Sequence, residues 1–270
     1  MNDTYLFIDG GYLREVVRTR FESIFGSSYK LSFSSILRDF TAKRAYYYDC
    51  LDDQKKDSEA PAAFELRVEQ QEAAFDEIER TPGVHVRKGW LSPGRRRQQK
   101  EVDVLFAVDV LMHSFNKNMA TAVLLAGDRD FRPVVESIVR LGTYVTLAYS
   151  PRDTSKELVR AADTEHPITV STLCQWMDVP SSDRRFHFPS TYFSNSVDGE
   201  NPIHRMSPAP AMLRTGLIGS ESFQIEHHRI TNDFYTSVRH DRNRFRITHF
   251  NNEEKLLAYL ESLYGEINWS

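Results

Sequence analysis

The sequence contains little cysteine, no excess of positive charge and no long apolar run. Its two cysteines, Cys50 and Cys174, have no CxxC spacing, so neither a disulfide framework nor a structural zinc site is predicted. The formal net charge of -4 excludes a uniformly basic protein that coats nucleic acid, although it leaves room for a local basic patch. Hydrophobic residues make up 40% of the chain, which is enough for a buried core and argues against disorder.

Membrane insertion and secretion are also not expected from the sequence. No segment approaches the roughly 20 consecutive apolar residues of a membrane span. The first apolar run, residues 5–8, is too short for a signal peptide and no basic residue precedes it. We therefore expect the protein to act in the cytoplasm and to have no membrane partner.

Over residues 1–178, short apolar runs alternate with amphipathic segments. The runs predicted to be strands lie at residues 5–8, 44–48, 84–86, 122–126, 144–148 and 168–170. Helical periodicity dominates between them, most clearly over residues 62–80 and 101–115. This alternation predicts an α/β domain over residues 1–178, a doubly wound, mainly parallel sheet with helices on both faces.

The composition changes after residue 180, and six of the nine histidines lie in the last 90 residues. Residues 233–238 and 244–250 are predicted to pair as a hairpin, and Asn251 is predicted to cap a final helix from residue 252 to about 264. We interpret residues 181–270 as a small α+β or β-rich domain. We expect it to set either the choice of target or homo-oligomerisation.

Four aspartates occupy equivalent positions in the predicted α/β domain. Asp9 ends the first strand, Asp128 and Asp130 follow the strand at 122–126, and Asp103 lies in the first turn of a helix. Because strand carboxyl ends and the following helix N-termini share one edge of such a sheet, the four side chains are predicted to converge. Any one of them alone is equally well explained as a turn or cap residue, but four together favour a functional site.

A cluster of carboxylates needs a counter-charge, because like charges raise the pKa of one another. Hard divalent cations such as Mg²⁺ or Mn²⁺ bind oxygen ligands of this kind. Such metals activate water and stabilise the leaving oxygen in phosphodiester hydrolysis. The four aspartates are therefore candidate metal ligands and catalytic residues.

Two further aspartates are weaker candidates for this site. Asp109 lies about 9 Å along the helix axis from Asp103, so we interpret it first as the partner of a basic side chain and only second as an outer metal ligand. Asp49 ends the second predicted strand, and we interpret it as a loop residue that opens the polar segment 52–56.

A basic segment at residues 87–100 leads into the helix that carries Asp103. It contains no acid, and its candidate nucleic-acid contacts are Arg87, Lys88, Trp90, Arg95, Arg96, Arg97 and Lys100. The basic side chains are predicted to hold a phosphate backbone beside the carboxylates, and the tryptophan offers a stacking surface. The alternative is an ordinary solvated loop.

Three sequence blocks resemble the signature blocks of NYN domains, which belong to the PIN-like nuclease superfamily. They are FIDGGYL at residues 7–13, KEVDV with AVD at residues 100–104 and 107–109, and LLAGDRDF at residues 124–131. The resemblance covers roughly residues 1–150. It implies a parallel sheet flanked by helices and a metal-dependent ribonuclease whose metal site is formed by Asp9, Asp103, Asp128 and Asp130.

Tyr12 departs from that resemblance, because many relatives carry Asn at its position. Its ring would either stack on a nucleobase or pack within the protein. The leading expectation is an Mg²⁺- or Mn²⁺-dependent endoribonuclease, and the alternative is a non-cleaving RNA-binding or regulatory module. A phosphatase of the haloacid dehalogenase type also begins with an aspartate at a strand end, but it needs a second aspartate two residues later, where this chain has Gly11.

Overall fold

The computed structural model describes residues 3–56, 58–91, 99–196, 200–218 and 221–270. These residues form two units. The first comprises the residues up to Thr19, Lys30–Ile168 and Gln175–Met177, and the second comprises Arg20–Tyr29, Thr169–Cys174 and Asp178–Ser270.

The second unit therefore includes two segments that the sequence places in the first domain. Residues 20–29 belong to it because the rings of Phe21 and Phe25 pack edge-on against Phe188, with ring centroids 5.7 and 5.3 Å apart.

The helices and strands are bounded as follows. The strands are β1 Thr4–Asp9, β2 Arg44–Leu51, β3 Val84–Leu91, β4 Gln99–Lys100, β5 Thr121–Leu125, β6 Tyr144–Tyr149, β7 Thr164–Pro167, β8 Ser190–Asn195, β9 Ala211–Ile218, β10 Glu221–His228, β11 Asp233–Arg239, β12 Arg244–Phe250 and β13 Asn268–Trp269. The α-helices are α1 Gly10–Val17, α2 Ser23–Phe25, α3 Phe33–Asp39, α4 Pro61–Glu79, α5 Val102–Phe115, α6 Arg132–Arg140, α7 Lys156–Val159, α8 Val170–Trp176, α9 Arg184–His187 and α10 Glu253–Tyr264. A π-helical turn, Arg18–Glu22, continues α1, and two 3₁₀ turns lie at Arg129–Phe131 and Pro202–Arg205.

The first unit contains a seven-stranded sheet in the order β4-β3-β2-β1-β5-β6-β7. Six strands are parallel, and the short β4 runs antiparallel to β3. The chain builds outward from β1 in one direction and then returns to its other side with β5, which confirms the predicted doubly wound fold.

The last parallel strand lies four residues earlier than predicted. β7 spans Thr164–Pro167, whereas residues 168–170 lead into α8. Ile168 and Val170 are apolar because they are buried at the start of this helix, and the Thr169 hydroxyl accepts a hydrogen bond from the backbone N–H of Thr172 at 3.2 Å. A short apolar run does not distinguish a strand from a buried helix start.

Both faces of the first sheet are buried, as expected for a parallel sheet. On one face Phe7 and Tyr48 pack against Phe106 of α5, with ring centroids 6.2 and 5.0 Å apart. The alternate residues of β1, Leu6 and Ile8, point to the opposite face and are fully buried. This packing on both sides holds the ends of β1 and β5 in place.

The second unit contains an antiparallel sheet in the order β13-β9-β10-β11-β12-β8. The predicted hairpin is confirmed, since β11 pairs with β12 from Phe234 opposite Phe250 to Arg239 opposite Phe245. The last helix is capped by Asn252, whose side chain accepts a hydrogen bond from the backbone N–H of Lys255, so the predicted cap at Asn251 was wrong by one residue.

No helix within the described ranges is long and apolar enough to cross a membrane.

Candidate functional site

The structure brings four aspartates to the carboxyl edge of the parallel sheet. β1 and β5 are adjacent parallel strands, so Asp9 at the end of one lies at the same edge of the sheet as Asp128, which follows the other through Gly127. Asp130 lies in the 3₁₀ turn after Asp128, and Asp103 lies in the first turn of α5. We refer to Asp9, Asp103, Asp128 and Asp130 as the edge aspartates.

Backbone groups orient two of the edge aspartates. Asp9 caps α1, and its Oδ1 accepts a hydrogen bond from the backbone N–H of Tyr12 at 3.0 Å. Asp128 caps the following 3₁₀ turn in the same way, with its Oδ1 accepting from the N–H of Asp130 at 2.9 Å. Both carboxylates are thus held at the points where strands end and helical turns begin.

The edge aspartates act on one another electrostatically. Burial raises the pKa of Asp9, and the charge of Asp103 raises it further, against the opposing hydrogen bond from Tyr12. Partial desolvation also raises the pKa of Asp103, and the carboxylates of Asp128 and Asp130 add to this effect. The charges are therefore close enough to disfavour simultaneous ionisation.

None of the edge aspartates forms a salt bridge with any residue that the structure describes. The guanidinium of Arg14 lowers the pKa of Asp9, but its own salt bridge is to Asp49. The site therefore carries an excess of negative charge that the described side chains leave largely uncompensated.

The donor chemistry of the edge aspartates suits a hard divalent cation, because all the available ligands are carboxylate oxygens. Within the described ranges, however, no three His, Cys, Asp or Glu side chains stand close enough together to hold a metal ion. Mg²⁺ is usually bound by one or two carboxylates together with waters and substrate phosphates, so a cation at this edge would be held by fewer than three of these side chains.

Asp109 lies outside this group. The Nε and Nη2 atoms of Arg87 donate hydrogen bonds to its two carboxylate oxygens at 2.8 and 2.9 Å, and the hydroxyl of Tyr48 donates another at 3.0 Å. The predicted pairing of Asp109 with a basic side chain is confirmed. Its secondary assignment as a metal ligand stays a prediction, which these hydrogen bonds to both oxygens do not favour.

Asp49 is a buried strand residue, and its interpretation as a loop residue was wrong. It lies within β2, with 1% of its surface exposed. Its carboxylate forms a salt bridge with Arg14 and accepts hydrogen bonds from the Tyr47 hydroxyl at 3.0 Å and the Cys50 N–H at 2.7 Å. Residues 50 and 51 continue the strand, and the alternation of β2 places Tyr47 and Asp49 on one face.

The Arg14–Tyr47–Asp49 network adjoins Asp9, and sequence reasoning missed it. A Cβ atom at Gly10 would lie 2.5 Å from the Cζ of Tyr47, so only glycine allows this tyrosine to approach the start of α1. The Tyr47 hydroxyl in turn accepts a hydrogen bond from Arg14 at 3.1 Å. The glycine at position 10 was the sequence signal for this network, because a residue without a Cβ atom leaves room for another side chain to pack against the start of the helix.

Tyr12 packs within the protein, which favours the second alternative for its ring. A Cβ atom at Gly127 would lie 2.2 Å from Cε2 of Tyr12, so the ring lies directly on the glycine that precedes Asp128. Its hydroxyl accepts a hydrogen bond from the N–H of Ser150 and is bonded to the Thr154 hydroxyl, both at 2.7 Å. The nucleobase contact of Tyr12 stays a prediction, which this packing of its ring and hydroxyl does not favour.

The basic segment is only partly described. Arg87 is bound to Asp109, which does not favour its assignment as a nucleic-acid contact, and that assignment stays a prediction. The adjacent Lys88 is exposed on the other face of β3, with its ammonium 5.3 Å from the ring centroid of Phe75. The backbones of Trp90 and Lys100 pair across β3 and β4. Arg95, Arg96 and Arg97 lie outside the described residues, so their contacts remain predictions.

Comparison with known proteins supports the fold at the level of a family. No curated protein matches the chain. A crystal structure of a protein of unknown function from Vibrio parahaemolyticus RIMD 2210633 is 19% identical, covers 65% of this chain and 96% of that chain, and has a TM-score of 0.45. The family model for the NYN domain matches residues 3–169, where the sheet and the edge aspartates lie. The chain therefore belongs to the NYN domain family of the PIN-like superfamily.

Proposed function

We propose that this protein is a divalent-metal-dependent ribonuclease that hydrolyses RNA phosphodiester bonds, with endonucleolytic cleavage expected. NYN domains are usually nucleases that act on RNA, which supports this class of activity. The metal, the substrate and the roles of individual residues are parts of the proposal.

The observation that carries the proposal is the group of edge aspartates without counter-charge. Elsewhere in the same unit, Asp49 and Asp109 are each bound by an arginine. At the edge of the sheet, by contrast, four carboxylates lie together. The charge of Asp103 raises the pKa of Asp9, and the charges of Asp128 and Asp130 raise the pKa of Asp103. Such an arrangement costs stability unless a cation offsets it, so it is more readily explained by ligand binding than by folding.

In the proposed mechanism, carboxylates of Asp9, Asp103, Asp128 and Asp130 would hold the cation, and the cation would supply the charge that attracts the scissile phosphate. Backbone N–H groups orient one oxygen of Asp9 and one of Asp128, so these carboxylates are positioned before substrate binds. Tyr12 packs on Gly127 and so connects the start of α1 with the residue before Asp128. Mg²⁺ or Mn²⁺, when bound, would lower the pKa of a water ligand and stabilise the negative charge on the phosphate oxygens.

The RNA would approach along the basic segment that leads into α5. Lys88, Trp90, Arg95, Arg96, Arg97 and Lys100 remain the proposed contacts, single-stranded or structured RNA being the partner. The binding of Arg87 to Asp109 does not favour it as a further contact. Contacts to phosphate predict binding that weakens as the salt concentration rises.

The test is cleavage of labelled single-stranded and structured RNA with Mn²⁺, with Mg²⁺ and with EDTA. We expect metal-dependent products from the wild type and a loss of about 100-fold or more in rate for Asp9→Asn and Asp128→Asn. Asp76→Asn, which changes an exposed acid on α4, is the matched control and should cleave like the wild type. Cleavage that persists in EDTA, or in both edge variants, would contradict the mechanism.

A second candidate function is a non-cleaving RNA-binding module. One observation favours it, since no three of the described acids stand close enough together to hold a metal. The resemblance adds a second point, because Tyr12 stands where many relatives carry Asn. This function predicts that RNA is retained without metal-dependent products. Retention should weaken with salt and with combined Arg95→Ala, Arg96→Ala and Arg97→Ala substitution.

A further inference from the structure

Helix α5 is apolar on its outward face as well as on its inward face. Its inward residues are buried in the core beneath the sheet, as Phe106 illustrates. Its outward residues Val104, Val108, Met112 and Phe115 are exposed by 63, 49, 53 and 70%. The spacing of four, four and three residues places them in one row along the helix. We call this row the α5 stripe.

The α5 stripe is unusual for a helix in contact with water. The outward face of α4 is largely charged and carries Leu66 as a single strongly exposed leucine, which is ordinary for a protein surface. The α5 stripe instead places four exposed apolar side chains along a helix about 21 Å long. Contiguous exposed apolar surface of this kind typically marks an interaction site.

The apolar surface extends at one end of the helix. α5 ends at Phe115 near the edge where β5 and β6 begin, and Leu141 and Tyr144, which are exposed by 47 and 51%, lie at that same edge of the sheet. Two more exposed apolar side chains therefore lie at the edge of the sheet where the α5 stripe ends.

Charges at the two ends of α5 identify the partner that fits. Glu101 is exposed just before the helix and Lys117 is exposed just after it, and neither forms an ion pair with any part of the chain that the structure describes. An antiparallel copy of the same helix would place each Glu101 beside Lys117 of the other copy. It would also oppose the two helix dipoles, which is the favourable arrangement.

We propose that the α5 stripe is a self-association surface, on which a second copy of this chain packs its own α5 antiparallel across a two-fold axis. A two-fold axis makes the same patch serve both subunits, so one row of apolar residues covers the other. Aliphatic side chains dominate the stripe, and these pack against aliphatic side chains but cannot stack on nucleobases.

The first test is sedimentation velocity of the full chain across micromolar concentrations, without RNA. We expect a dimer for the wild type and a monomer for Val108→Glu and for Met112→Glu, because a buried unpaired carboxylate opposes association. Leu66→Glu makes the same kind of change at an exposed leucine on α4 and should leave the dimer intact. Circular dichroism and thermal melting check that each variant folds.

A charge exchange tests the antiparallel orientation. Glu101→Lys and Lys117→Glu should each raise the dimer dissociation constant about threefold to tenfold, and the double variant should restore it. A wild type that stays monomeric at the highest concentrations would overturn the proposal, as would a dimer that survives Val108→Glu. Loss of RNA binding by the Val108→Glu variant with no change in mass would instead assign the stripe to RNA and would also overturn it.

Discussion

The aspartates of the first unit fall into two groups with opposite surroundings. Asp49 and Asp109 each bind an arginine through their carboxylate oxygens, and each also accepts a hydrogen bond from a tyrosine hydroxyl. The edge aspartates have no such cation among the described residues, and the pKa values of Asp9 and Asp103 are raised. The same side chain thus stabilises the fold in one place and strains it in another.

The role of an aspartate near a parallel sheet can therefore be inferred only when its hydrogen-bond and ion-pair partners are known. A paired carboxylate that satisfies its hydrogen bonds has a structural role. The edge aspartates carry charge that no described cation neutralises, and this charge, unlike the capping hydrogen bonds of Asp9 and Asp128, points to function. Substitution of a paired aspartate should therefore lower stability, whereas substitution of Asp103, which caps no helix, should raise it.

The largest expected effect on stability is at Asp49. Asp49→Ala should lower the free energy of unfolding by about 3 kcal/mol, because it leaves the Arg14 guanidinium, the Tyr47 hydroxyl and the Cys50 N–H without their shared acceptor. Because the Arg14 side chain is half exposed, we expect a loss of stability at the low end of the range for broken buried salt bridges. Urea unfolding measures the change, and a loss below about 1 kcal/mol would contradict the structural role.

A smaller loss is expected at Asp109. Asp109→Asn keeps the size of the side chain but removes the charge that Arg87 binds in a bidentate manner. We expect a decrease of about 1–2 kcal/mol, since the arginine can still reach water. The same urea experiment applies. Arg87→Gln should show a similar decrease, and the double variant should lose less than the two single losses combined.

The smallest change is at Asp103, and its sign is reversed. The pKa of Asp103 is raised in the folded state, so ionisation of its carboxyl group destabilises the fold. This loss of stability develops as the pH rises from the ordinary carboxyl pKa through the raised pKa, and it is complete at neutral pH. Asp103→Asn should therefore raise the free energy of unfolding at pH 7 in EDTA by less than about 1 kcal/mol. At about pH 4 the difference from the wild type should disappear.

Addition of a metal ion should separate the edge aspartates from the paired aspartates. Mg²⁺ or Mn²⁺ should raise the melting temperature of the wild type, because a ligand that binds only the folded state stabilises it. The rise should be reduced in Asp103→Asn and retained in Asp109→Asn. Destabilisation of Asp103→Asn at pH 7 in EDTA would show that this residue belongs with the paired aspartates.

The strands of the first unit were predictable because a parallel strand is buried on both faces and is therefore a continuous apolar run in the sequence. The edge position of Asp9 and Asp128 followed from the same topology. The end of β2 was not predictable, since Asp49 has the appearance of a loop acid until Arg14 and Tyr47 are seen around it. The start of α8 was mistaken for a strand for a similar reason, because burial and strand structure produce the same short apolar run.

The exposed face of α5 could not be predicted from the sequence either. A helix that is apolar over most of its surface is expected to be largely buried, and only the packing shows that Val104, Val108, Met112 and Phe115 face outward. Tyr12 gives a second example. Its substitution for Asn was visible, but its contact with Gly127 and its bond to the Ser150 N–H join residues more than 100 positions apart.

The α/β class, the order of the elements and the set of aspartates at the edge of the sheet followed from the sequence, because periodicity and strand ends are local properties of the chain. The tertiary structure alone decided which aspartates are neutralised and which remain uncompensated. That distinction depends on distances between side chains far apart in the chain, such as Arg14 and Asp49 or Arg87 and Asp109. Charge compensation is a property of three-dimensional neighbours, and no local pattern encodes it.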